Sequence, residues 1–170
     1  MEFRKSELRD IPEIVGIIND AVAFLRDSGV NQWQDGYPNE AVLKNDIALG
    51  RSYVLTDGGS VVGTVVLSFE KDHCYDDIDG KWLNDEPYAV IHRSAVSAKA
   101  RGKGCGRRLY EECEKLAAQN GFMNIRVDTH RDNKVMNTML TQYGYTMCGT
   151  IFVDTAEFDA IRNAYQKILK

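Results

Sequence analysis

Between Ile14 and Leu25 the apolar residues Ile14, Ile17, Ile18, Ala21, Val22 and Leu25 recur at helical spacing. Asp10 stands as the N-cap of that helix, Glu13 completes a capping box three residues on, and Pro12 falls in the first turn. Gly29 can close the helix in a left-handed conformation. Before it, Glu2 to Lys5 reads as a short edge strand. After it, Val30 to Pro38 reads as a loop holding Trp33 and Tyr37, and Asn39 to Leu49 as a second helix. The period then falls to two. Ser52 to Thr56 is a strand, Asp57-Gly58-Gly59-Ser60 a hairpin turn, and Val61 to Glu70 the returning strand. Asp72 to Glu86 is irregular, and Tyr88 to Val96 is again a strand. From Gly104 to Asn120 the helical period returns. Leu109, Cys113, Leu116 and Ala117 share one face, and Glu111 and Lys115 are spaced to pair. A strand at Ile125 to Asp128, a helix from Asn133 to Tyr143 and a strand from Tyr145 to Val153 follow. In the tail, Phe158, Ile161, Ala164, Tyr165 and Ile168 carry helical spacing. The order predicts a mixed α/β domain, an antiparallel meander followed by a βαβ unit.

Composition narrows the setting. A chain of 170 residues suits one domain, expected to run 1–170. Lys plus Arg is 21 and Asp plus Glu is 25, a net charge of −4 that argues against a general nucleic-acid partner. The four cysteines, Cys74, Cys105, Cys113 and Cys148, form no Cys-x-x-Cys pair and read as free thiols in a reducing compartment. Met1 to Lys5 lacks the apolar core of a signal peptide, and no run approaches a membrane span. A soluble cytoplasmic protein with no membrane partner is expected.

The stretch Ala95 to Tyr110 carries chemistry. A strand ends at Val96, a loop holding Gly102, Gly104 and Gly106 follows, and a helix opens. Glycines let several backbone N–H groups converge on one anion, and a helix N-terminus adds partial positive charge. Lys99, Arg101, Lys103, Arg107 and Arg108 crowd the same stretch, which holds no acid. Cations in a first turn oppose the helix dipole, a conflict that a bound polyanion would remove. The spacing is neither Gly-x-x-x-x-Gly-Lys-Ser/Thr nor Gly-x-Gly-x-x-Gly.

Arg101-x-x-Gly104-x-Gly106, directly after Ala95-Val96, resembles the Arg/Gln-x-x-Gly-x-Gly/Ala signature of the GNAT superfamily of acyl-CoA-dependent N-acyltransferases. Asp128-Thr129-His130-Arg131-Asp132-Asn133, with Met136-Asn137, Leu140 and Gly144-Tyr145, is similar to that family's second block. The resemblance implies a central, mostly antiparallel mixed sheet of about seven strands with about four helices, split between the fourth and fifth strands. It implies acetyl-CoA as co-substrate. Backbone groups of Ser94, Ala95 and Val96 would pair with the pantetheine arm. The N–H groups of Arg101, Gly102, Lys103, Gly104, Cys105 and Gly106 would cradle the pyrophosphate, and Asn133 would bind the arm. An amine of a small molecule or peptide would attack the thioester, with the Val96 N–H polarising its carbonyl. Many members carry a thiolate-protonating Tyr seven residues after the Asn, where this chain has Leu140, so the general acid is unassigned. That departure keeps a second reading alongside: a non-catalytic acyl-CoA sensor of the same fold. The resemblance also turns the tail into a final strand around Asn163 to Leu169, and homodimers are common in the family.

On the acceptor side, Asp72, Asp76, Asp77, Asp79, Asp85 and Glu86 face one Lys81 in the irregular stretch and could draw in a cationic amine. Trp33, Tyr37 and Tyr88 are candidate pocket walls. His92 is the candidate general base, and strand alternation puts it on one face with Tyr88, Val90, Ser94 and Val96. His73 beside Cys74 invites a metal, but no further ligands stand at metal spacing, and none is expected. His130 would cap the turn before the Asn133 helix.

Overall fold

The computed structural model describes residues 1–157 and 159–170; Phe158, one of the residues at helical spacing in the tail, lies outside them. Among the described residues, eight strands form one sheet. They are β1 (Glu2–Lys5), β2 (Ser52–Asp57), β3 (Ser60–Ser68), β4 (Asp79–Gly80), β5 (Ala89–Val96), β6 (Asn124–His130), β7 (Thr146–Phe152) and β8 (Ile161–Ile168). Four helices flank it: α1 (Ile11–Asp27), α2 (Glu40–Ala48), α3 (Cys105–Gln119) and α4 (Lys134–Gln142). The sheet order is β1-β2-β3-β5-β6-β8-β7-β4, and every pairing is antiparallel except β5 with β6. This matches the architecture that the resemblance implies, with one strand beyond seven. The extra strand is the two-residue β4 inside the stretch read as irregular. It closes on β7 through facing Gly80 and Gly149, where a Cβ would stand 2.2 Å from a partner carbonyl oxygen.

The tail is the strand β8, against its helical spacing. It fills the gap between β6 and β7, where tertiary pairing overrides local preference. Asp10 does precede α1, but its carboxylate makes no cap bond to that helix. It accepts from Arg4 Nη1 at 2.7 Å, Arg4 Nη2 at 2.9 Å and the Glu7 amide at 2.8 Å. Glu13 is likewise spent elsewhere, accepting from the Val61 amide at 2.9 Å and so tying α1 to β3.

Two features of β5 position the site. First, β5 pairs with β6 only from Ala89 to Ile91, so the sheet opens beyond that point. Second, β5 carries a bulge. Thr64 faces Ala95 while Val66 faces His92, so Arg93 and Ser94 together oppose Val65, and Arg93 adopts φ 48°. The bulge reverses the alternation. Ala89 and Ile91 pack with Leu109 and Cys113 of α3, whereas Ala95 packs with Ile14 and Ile18 of α1. The expected common face of His92 with Ser94 and Val96 is therefore corrected: the latter two turn toward α3.

Candidate functional site

A cleft of ≈ 750 Å³ opens where β5 and β6 part. On the α3 side it is lined by Ser94, Val96, Arg101, Tyr110, Asn133 and Met136, and Ala95 borders it from the α1 side. Ladder geometry fixes what β5 offers there. The Ser97 amide donates to Val62 on β3 at 2.9 Å, so the neighbouring Val96 N–H points the other way, toward the opening. Ser94 Oγ lies 3.2 Å from Tyr110 Oη, a phenol held protonated because burial raises it far above its ordinary value.

The glycine loop sits at the end of this wall. Gly102 has φ 74° and Gly104, the N-cap of α3, φ 79°, conformations that suit glycine. Among the described residues, the N–H groups of Arg101, Gly102, Gly104, Cys105, Gly106 and Arg107 have no hydrogen-bond partner; Lys103 donates weakly to Ala100 O at 3.4 Å. A Cβ at Gly102 or Gly104 would meet nothing within 4 Å. The loop thus presents open space and unpaired donors, which fits a diphosphate. Cys105 is buried and faces inward. The charge argument changes in detail. Arg107 and Arg108 resolve their conflict with the helix dipole by pairing with Glu111 at 2.9 Å and Glu112 at 2.7 Å. Glu111 is thereby taken from Lys115, which turns to Glu112 at 3.2 Å. Arg101 lies over the Phe24 ring at 4.7 Å.

Asn133 caps α4, accepting from the Met136 amide at 3.2 Å, while its Nδ2 donates to Gln32 Oε1 at 3.2 Å. Gln32 went unnoticed in the sequence. It belongs to the loop after α1, which also holds Trp33, half-buried on the cleft with φ 63°. That loop is tied to the segment after β7: the Gln34 amide donates to Glu157 at 3.0 Å and Thr155 to Asp35 at 3.3 Å. Glu157 in turn holds the buried Arg162. Nothing in the sequence joins segments 123 residues apart.

The opposite wall gathers His92, Arg93, Asp72 and Asp128 with Tyr37. His92 Nε2 lies 3.4 Å from Asp72 Oδ2. Burial lowers the His92 pKa, an effect the Asp128 charge opposes, and burial raises that of Asp128. Tyr75 Oη donates to Asp128 at 2.7 Å. His92 is therefore neutral near pH 7, the state a base requires. Arg93 reaches back to Asp46 of α2, with Nε at 2.8 Å and Nη2 at 3.0 Å, and also meets the Tyr37 hydroxyl. Asp128 was legible by alternation: Ile125 and Val127 point into the core with α3, which turns Asp128 toward the cleft.

Two placements depart from expectation. Tyr88 does not line this cleft. It is buried in a second cavity of ≈ 460 Å³, where the Arg126 guanidinium sits 3.9 Å from its ring and 4.0 Å from that of Trp82. Of the acids between Asp72 and Glu86, only Asp72 reaches the cleft; Asp76, Asp85 and Glu86 line the second cavity. His130 does serve its turn: it is buried, and its Nδ1 accepts from the Asp132 amide at 3.1 Å. Leu140, at the place of the family's tyrosine, is fully buried in the core. Leu140→Tyr is expected to cost about 1–3 kcal/mol by overpacking, read as a lowered thermal midpoint, rather than to supply an acid.

Comparison with known proteins agrees with this geometry. The family model described as Acetyltransferase (GNAT) family matches residues 18–145. A Bacillus subtilis protein, an uncharacterized N-acetyltransferase YesJ, is 26% identical over 145 residues, covering 82% of this chain and 78% of its own. The crystal structure of a GNAT-family acetyltransferase from Streptococcus agalactiae aligns with a TM-score of 0.89 at 31% identity, over 99% of this chain and 95% of that one. The PaiA N-acetyltransferase of Thermoplasma acidophilum, solved in complex with coenzyme A, shares the fold with a TM-score of 0.72 at 17% identity, over 98% of each chain. Among the described residues no helix is long and apolar enough to cross a membrane.

Proposed function

The chain belongs to the GNAT acetyltransferase family, and from that premise we propose that it is a cytoplasmic enzyme moving the acetyl group of acetyl-CoA to a primary amine of a small molecule or peptide. The observation that carries the reading is the set of unpaired N–H groups between Arg101 and Arg107, all but that of Lys103, opening beside a strand whose Val96 N–H has no ladder partner. A diphosphate needs such a cradle, and a thioester oxygen gains from such a donor as charge develops on it.

Acetyl-CoA supplies an activated acyl carbon. His92 takes the proton that makes the acceptor nitrogen nucleophilic, with Asp72 and Asp128 bearing on its ring. The nitrogen attacks the carbonyl carbon, the C–S bond breaks, and the electron pair leaves on sulfur. No side chain is needed to make that thiolate viable, since a thiol of pKa about 8.5 is already a fair leaving group and solvent can return its proton. Asn133 orients the arm, and Trp33 and Tyr37 wall the acceptor.

Titration calorimetry with acetyl-CoA and coenzyme A tests the cradle, and thiol release across an amine panel tests turnover. Micromolar binding with amine-dependent release is the expected result; absence of binding would sink the reading. One observation favours a second reading, an acyl-CoA sensor: Leu140 stands in the core where many relatives keep their acid. Binding without release from any amine would select it.

A further inference from the structure

We propose that His73, Cys74, Asp154 and Asp72 form a binding site for a divalent transition-metal ion, zinc foremost, at the mouth of the cleft. All four line the cleft, and the transfer step described above uses only Asp72 among them. The local part is a 3-10 turn, His73–Tyr75, entered from Asp72, whose Oδ1 accepts from the Cys74 amide at 2.9 Å. This brings one ligand atom from each of Asp72, His73 and Cys74 within 4.8 Å of one another. The fourth ligand could not be read from spacing, because it arrives from beyond β7: Asp154 stands outside that trio, with its Oδ2 2.6 Å from His73 Nε2 across 81 residues of chain, and swings in to complete the set.

The donor set of imidazole, thiolate and carboxylate suits zinc, which tolerates mixed nitrogen, sulfur and oxygen ligands in a tetrahedron. Bond lengths of about 2.3 Å to sulfur and 2.0–2.1 Å to nitrogen put tetrahedral S and N ligands about 3.6 Å apart. Cys74 Sγ and His73 Nε2 stand 3.7 Å apart. The His73–Asp154 contact must lengthen by somewhat under about 1 Å to admit an ion of this size. Asp154 and His73 are free to make that adjustment, since their side chains are 84% and 76% exposed. The same exposure gives the ion an entry path. Binding converts the Cys74 thiol to thiolate, and its proton goes to solvent.

The test uses tag-free, chelator-treated full-length protein titrated with Zn²⁺ by calorimetry and with Co²⁺ by absorption. One equivalent of Zn²⁺ is expected. With Co²⁺, a thiolate-to-metal charge-transfer band together with the visible bands of tetrahedral Co²⁺ is expected. Cys74→Ala should abolish the charge-transfer band. His73→Ala and Asp154→Asn should each weaken Zn²⁺ at least about tenfold, since even outer-shell partners contribute 10–100-fold. Cys148→Ala, which removes a thiol outside the ligand set, should bind as the parent does. Circular dichroism checks that each exposed-site variant keeps its fold. Failure of the parent to bind in stoichiometric amount, or a charge-transfer band persisting in Cys74→Ala, would overturn the site.

Discussion

Coenzyme A binding is expected to vanish in Gly104→Asp while the fold survives. Gly104 holds φ 79° at the head of α3, and a Cβ there meets no atom within 4 Å, so the new side chain has room. The left-handed conformation costs a non-glycine residue about 1–2 kcal/mol, and Asp is among the residues that tolerate it best. A loss of that size lowers the thermal midpoint of a chain this long by roughly 2–8 °C. The effect on the ligand is far larger. A carboxylate among the N–H groups of Arg101 to Arg107 both occupies donors and repels phosphate. Like-charge contacts cost several kcal/mol, which is at least about a 100-fold loss of affinity. Gly104→Ala carries backbone strain at least as large without the charge, so it should lose little affinity. Calorimetry on both variants separates the two effects. Parent-like affinity in Gly104→Asp would place the diphosphate elsewhere.

The second large effect is expected at His92. A base must be neutral to accept a proton, and burial lowers the His92 pKa. The part of the activity that His92 supplies should therefore hold at high pH and be lost as pH drops through that lowered value, below the ordinary histidine range near 6.5. His92→Gln keeps a polar group of similar reach but cannot accept the proton. It should cost about 10²–10⁴-fold in kcat/KM, the usual contribution of general base catalysis. It should also remove the acid limb that His92 imposes, leaving the dependence set by the amine itself. The check is kcat/KM against pH for parent and variant with one amine in common. An unchanged acid limb in the variant would strip His92 of the role.

Much of the frame was readable because the signals were local. The α1 stripe, the Gly58-Gly59 hairpin and the glycine loop each declare themselves within a few residues. What escaped depended on partners far along the chain. The N-cap position of Asp10 was plain, but Arg4 competes for its carboxylate from β1. Tyr88 looked like a wall residue because its neighbours in sequence lead into the cleft. Arg126, from a different strand, draws it into a cation-aromatic stack instead. The helical spacing of the tail lost to an open slot between β6 and β7, since an unsatisfied sheet edge on both sides outweighs propensity. The wall opposite α3 was the least legible part. Its pieces, Asp46, Asp72, Arg93, Asp128 and Glu157, come from separate elements, and only the strand alternation at Asp128 left a trace.

The single extra residue in β5 has a wider meaning for how this protein can change. By turning the strand over after His92, the bulge makes β5 a partition, with His92 and Arg93 serving one compartment and Ser94 and Val96 the other. Under the proposed function, acceptor preference can then drift by substitution on one side while the residues proposed to hold the cofactor on the other are left untouched. A scaffold divided in this way is a natural starting point for redirecting transfer to new amines, because the two recognition problems are solved on different faces of one strand.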